Sequence, residues 1–292
     1  MAGIIKYCLM ILLLCITVHP GSSQNQTLIS PDGKTIVGIF TEGDLSYSVK
    51  HNDETILERS PLSMKVGEAN WGINSKVLGI SRQSVNDTIV YTVPRKYKTA
   101  SDQYNKLILK YKDFQVEFRA YNDGIAYRFS GRKNLVKPVY RETVCYNFPE
   151  NYETYTLLTD KLQNWFEEDY TIKTIEELPV DRFSITPVMV CAGSCKLLLA
   201  EANLSNYPGM YLQPAGKSFK GLFANYPLKE ELLEDGNKLY AAVRENFLVE
   251  TNLSRSFPWR VMGIFEKDSD ILSSDLVYLL SDEKAPGVDF SW

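Results

Sequence analysis

The stretch Leu197 to Leu212 reads LLLAEANLSNYPGMYL. An apolar run ends on a carboxylate, Glu201, and Tyr207-Pro208-Gly209 then bends the chain through a rigid corner. Taken alone, such a glutamate is best read as a solvated strand end. General acid and base work needs two carboxylates held facing each other. Glu167-Glu168-Asp169 and Glu176-Glu177 are the acidic clusters on offer. Adjacent residues point in different directions, so these clusters read as surface, and no catalytic pair is assigned.

Other reactive side chains are few. Beyond residue 23 the only histidine is His51, in the polar turn KHNDE, which excludes a histidine-rich metal centre. A Cys/His zinc site would draw on His51, Cys145, Cys191 and Cys195, but these lack ligand spacing. Cys191 and Cys195 flank Ala-Gly-Ser, a tight-hairpin signature, so a bridge between them and three free thiols both stay open. Arg260, after Pro258-Trp259, is placed to pair with a carboxylate, and a structural ion pair is the simpler reading.

The elements that must position these residues are strands. Phe114, Val116, Phe118 and Ala120 alternate with polar residues, Asn122-Asp123-Gly124 supplies turn chemistry, and Ile125, Tyr127 and Phe129 resume the period of two. Comparable hairpins are predicted for 28–40 around Pro31-Asp32-Gly33 and for 232–243 around Asp235-Gly236-Asn237. One helical turn fits 174–178 before Pro179 stops it. Without a linker or repeat, the strands predict one large all-β domain, a sandwich of two antiparallel sheets with few short helices.

Composition agrees. With 44% hydrophobic and 23% charged residues the 292-residue chain is globular, and its net charge of −4 leaves no basic surface for nucleic acid. Lys6 and the apolar run from Tyr7 to Val18, then small residues to Ser23, predict a signal peptide over 1–23. An uncleaved anchor and a lipoprotein signal at Cys15 are the alternatives. The expected product is exported, periplasmic or secreted, with no membrane span after cleavage. Asn-x-Ser/Thr sites at Asn25, Asn86, Asn203 and Asn252 matter only in a glycosylating pathway.

YNDGIAYRFSG (121–131), EANLSNYPGMYL (201–212), FPWRVMGIF (257–265) and the closing VDFSW occur in one order. Together they resemble the N-terminal region of glycoside hydrolase family 97, which includes bacterial α-glucosidases and α-galactosidases. The likeness runs from LISPDGKTIVGIF onward; Phe257 departs from it, where the family more often has Thr. The resemblance implies a large antiparallel β-supersandwich, galactose mutarotase-like, over 24–292. An intramolecular (β/α)8 barrel would follow it and carry the catalytic carboxylates, so the chain is expected to be inactive alone, as a fragment or a truncated product. It further implies that Glu201 helps bind a calcium ion shared with that barrel, its carboxylate free of any arginine or lysine of this domain. Trp165, Tyr170, Tyr207, Met210, Arg260 and Trp292 would face the barrel, and the full-length enzyme would take an α-linked oligosaccharide.

Two other readings compete. One is a stand-alone, non-catalytic carbohydrate-binding or interaction module. The other is a free-standing mutarotase-like enzyme using His and Glu as acid and base, which the setting of His51 does not favour.

Overall fold

The computed structural model describes residues 25–91, 96–163, 166–233, 236 and 238–281. The expected signal peptide, Trp165 and Trp292 therefore lie outside the described residues.

Alternating apolar residues and glycine- or asparagine-bearing turns produce a run of antiparallel strands. The first are β1 (Gln26–Ile29), β2 (Thr35–Phe40), β3 (Ser46–His51), β4 (Glu54–Val66), β5 (Ala69–Trp71), β6 (Gly79–Val90) and β7 (Thr99–Lys110). Next come β8 (Phe114–Tyr121), β9 (Gly124–Gly131), β10 (Val136–Asn147), β11 (Glu153–Thr159), β12 (Tyr170–Thr174) and β13 (Phe183–Ala192). The series ends with β14 (Cys195–Ala202), β15 (Met210–Ala215), β16 (Ser218–Phe223), β17 (Pro227–Leu232), β18 (Leu239–Arg244), β19 (Val249–Asn252) and β20 (Trp259–Phe265). Two short helices follow, α1 (Asp268–Ser273) and α2 (Leu276–Leu279). Among the described residues no helix is long and apolar enough to cross a membrane.

The strands form two packed layers. One runs β1–β2–β3–β4–β10–β19, with β5 also paired to β4. The larger runs β6–β7–β8–β9–β20–β14–β13, and β13 goes on to pair β11 and β15. Strand β10 serves both: Val139–Val144 pair β4, whereas Cys145–Asn147 pair β16. Between the layers lies an aromatic-rich core, in which Tyr47 of β3 meets Phe118 and Tyr127 with ring centroids 6.1 and 5.3 Å apart.

The hairpins read from sequence are present as β1–β2, β8–β9 and β17–β18, although Glu234, Asp235 and Asn237 of the last turn lie outside the described residues. The predicted helical turn is a 3-10 turn, Ile175–Glu177, closed at its start by Glu177 Oε2, which accepts from Thr174 N at 2.9 Å and Thr174 Oγ1 at 2.8 Å. Glu176 in turn accepts a hydrogen bond from Asn151 Nδ2. Both members of that acidic pair thus brace a loop.

One departure from the alternating pattern matters. Residue 117 falls on the polar face of β8, yet Glu117 is buried. The reason is that the outer face of the large sheet is also covered. Leu276 and Leu280 pack there against Trp259, Tyr104, Tyr121 and Ala200, and burying each leucine contributes about 1.5–3 kcal/mol. Gly124 permits the approach, since a Cβ there would stand 2.6 Å from Leu276 Cδ2.

Candidate functional site

Consecutive residues of β20 point to opposite faces of the large sheet, as any strand requires. Trp259 looks outward to the helices and Arg260 inward to the core, and both are almost fully buried. Each organises a polar cluster.

Arg260 lies opposite Glu201 of β14 and Tyr127 of β9 in the strand register. Its Nη1 donates to Glu201 Oε2 at 2.6 Å. The same guanidinium reaches across the sandwich to Glu142 of β10: Nε donates to Oε1 at 2.7 Å and Nη2 to Oε2 at 2.6 Å. Glu201 Oε1 accepts from Met210 N at 3.0 Å, so the carboxylate also pins the chain beyond the Pro208-Gly209 corner. Burial alone would lower the Arg260 guanidinium, but Glu142 and then Glu201 outweigh it and hold it charged. Burial lifts the surrounding phenols of Tyr127, Tyr146 and Tyr207 far above the ordinary tyrosine value, so they stay neutral.

Two sequence expectations are corrected here. Glu201 is not free of an intradomain partner; it lies within β14, and the pairing of β14 with β20 forces its carboxylate beside Arg260. Leaving either charge alone in this interior would cost several kcal/mol, which is why the fold pairs them. Tyr207, Met210 and Arg260 do not form an exposed barrel-facing patch, since they are 8%, 2% and 2% exposed. Tyr207 packs its ring against Phe257, Met210 donates its backbone N–H to Glu201, and Arg260 pairs with Glu142. Tyr170 is exposed, and the expected ion pair of Arg260 is present twice over.

Among the described residues Glu201 by itself does not make a calcium site. Each oxygen of Glu201 already accepts one hydrogen bond, and its charge is met by Arg260. Among the described residues no three His, Cys, Asp or Glu side chains gather where they would hold a metal.

On the outward face, Glu117 bridges two arginines: Arg119 Nε at 2.8 Å and Arg128 Nη2 at 3.4 Å. Both guanidinium groups lie over the Trp259 ring, 4.6 and 4.2 Å from its centre, and Arg119 also covers Tyr104 at 4.4 Å. This is a stacked lid on the sheet, two guanidinium groups sharing one carboxylate above an aromatic ring.

The remaining reactive groups are structural. His51 is buried, with Nδ1 2.9 Å from Thr35 Oγ1 and Nε2 3.3 Å from Glu266 Oε1. Cys145, Cys191 and Cys195 are free thiols. Cys195 lies opposite Ala192 and Cys191 opposite Lys196, so the two cysteines fall on opposite faces of the hairpin. Burial pushes the Cys195 thiol up to about 11, which makes it a poor nucleophile.

Residues 28–282 match the family model described as Glycosyl-hydrolase 97 N-terminal. A retaining alpha-galactosidase of Bacteroides thetaiotaomicron is 34% identical over 304 aligned positions, covering 96% of this chain and 45% of that protein. A glycoside hydrolase family 97 enzyme from Pseudoalteromonas sp. strain K8, solved with acarbose, shares the fold with a TM-score of 0.76 at 20% identity, over 90% of this chain and 39% of its own. A beta-arabinopyranosidase structure aligns with a TM-score of 0.68 at 20% identity, over 83% of this chain and 40% of its own. The chain spans less than half the length of each of these relatives.

Proposed function

Because the chain belongs to glycoside hydrolase family 97 and corresponds to its N-terminal domain, we propose that it is the β-supersandwich of an exported α-glycosidase. In this role it scaffolds a (β/α)8 barrel that hydrolyses α-glucosidic or α-galactosidic bonds of an oligosaccharide. The observation that carries this reading is the family match over 28–282, joined to a sandwich whose central carboxylates are committed to holding its two layers together. Export rests on the leader-like composition of residues 1–23. Calcium shared with the barrel belongs to the same proposal, with Glu201 offering it the lone pairs that Arg260 and Met210 leave free.

The test is a domain exchange. The purified chain is expected to leave aryl α-glucosides and α-galactosides intact. Substituted for the matching region of the alpha-galactosidase relative, it is expected to support hydrolysis. Turnover by the chain alone, or a well-folded but inactive chimera, would overturn the scaffold reading.

A further inference from the structure

A second site lies outside the Arg260 cluster, where the β17–β18 hairpin meets the body of the sandwich. There a cavity of about 500 Å³ opens between the 206–208 corner, the 224–227 segment and the start of β19. Its size is that of a small-ligand pocket.

Its cationic walls are Arg244 and Arg255. Arg255 is anchored on four neutral oxygens: Ser205 O at 2.6 Å, Thr251 Oγ1 at 3.2 Å, Ser256 O at 3.2 Å and Asn206 O at 3.4 Å. Arg244 donates through Nη1 to Asn225 O at 2.7 Å. Among the described residues neither has a carboxylate within ion-pair distance, whereas Arg260, five positions beyond Arg255, has two. Burial lowers the Arg255 guanidinium from its ordinary value, the mark of a cation held partly out of water without a counter-charge. Glu250 lines the same cavity, so two arginines and one glutamate leave it a single formal positive charge.

The cavity also offers a flat apolar surface. Tyr226 is 51% exposed and its ring is stacked on Phe247, 5.9 Å away and tilted by 24°, so its orientation is set before any ligand arrives. Pro208 and Pro227 stiffen the rim beside it.

We infer that this cavity binds one hexuronate unit of an acidic glycan, a sugar ring that brings a single carboxylate to the site. The Arg244 and Arg255 guanidinium groups would take the carboxylate, the Tyr226 face the sugar ring, and Glu250 the hydroxyl donors. Guanidinium forks match a carboxylate in plane, and an aromatic face matches the C–H side of a pyranose. The inference does not depend on the glycosidase reading, because binding here requires neither a barrel nor turnover.

The experiment is calorimetric titration of the full chain with trigalacturonate, maltotriose and inorganic phosphate. Trigalacturonate is expected to bind at least about tenfold more tightly than maltotriose, as a charge-assisted pair implies. Arg255→Gln and, separately, Arg244→Gln should each weaken it about tenfold with the unfolding midpoint of Arg244→Gln unchanged. Tyr226→Ala should weaken trigalacturonate but not phosphate. Equal affinity for the acidic and neutral trisaccharides, no binding of trigalacturonate, or indifference to both arginine variants would overturn the proposal. Phosphate binding as tight as trigalacturonate would overturn its saccharide part.

Discussion

The two faces of β20 solve the same problem differently. Inside, Arg260 is 2% exposed and joined to Glu142 and Glu201 through three short hydrogen bonds. Outside, Arg119 and Arg128 share Glu117 and spread over Trp259, with side chains 14% and 16% exposed. The inner cluster spans both sheets, since Glu142 comes from β10 and Glu201 from β14. The outer one stays within a single sheet, on β8, β9 and β20. Charge buried between layers holds them in one relation to each other; charge at the rim of a layer, which water can still reach, mainly shields an aromatic ring. The difference is one of consequence when a partner is lost.

The sharpest break is Arg260→Met, which leaves Glu142 and Glu201 facing each other in the core. It is expected to cost about 3–5 kcal/mol and to unfold the chain at low denaturant, as urea titration would reveal. Next is Glu201→Gln, which keeps the size and the acceptor for Met210 N but removes a charge from the pair; a loss of about 2–3 kcal/mol is expected. An unchanged midpoint would return Glu201 to the role of an uncommitted ligand. On the outer face Glu117→Gln should cost only about 1 kcal/mol, because both arginines keep a route to solvent and to the Trp259 ring.

The smallest effect lies at the surface. Lys34 by hydrogen bond, helped by Asn52 and His51, holds the Glu266 carboxyl down at about 2, below the ordinary value near 4.3. A depressed carboxyl stabilises the fold above its ordinary value and loses that contribution as pH falls through the lower one. The melting-temperature gap between the native chain and Glu266→Gln should thus be small and flat above about pH 5, then close toward about pH 2.

Much of the fold was legible because its signals are local. The alternation over 114–129 and the Pro31-Asp32-Gly33 turn each specify a hairpin from neighbouring residues, and those hairpins are present. Glu201 shows where legibility stops. Its partner Arg260 lies 59 positions away in sequence and shares its guanidinium with Glu142 of another sheet, and only the pairing of β14 with β20 and the packing of β10 across the core bring the three together. A motif seen from one strand looked like a free ligand; seen from three it is a clasp. The paired Tyr226 and Phe247 and the uncompensated Arg255 were missed for the same reason, although Asn225-Tyr226-Pro227 offered an aromatic beside a rigid turn.

The place of β20 in the large sheet has a consequence for how the protein is made. Strand β20, the last among the described residues, sits between β9 and β14, pairing Gly124–Tyr127 on one side and Lys196–Ala202 on the other. Until residue 265 has left the ribosome, the two halves of that sheet keep open inner edges and Glu201 has no cation beside it. A nascent chain therefore emerges as two unsealed β units rather than a growing sandwich, with edges that invite pairing to a neighbouring copy. Synthesis must reach β20 before the two halves of the large sheet can join, which makes completion of β20 the step that closes that sheet.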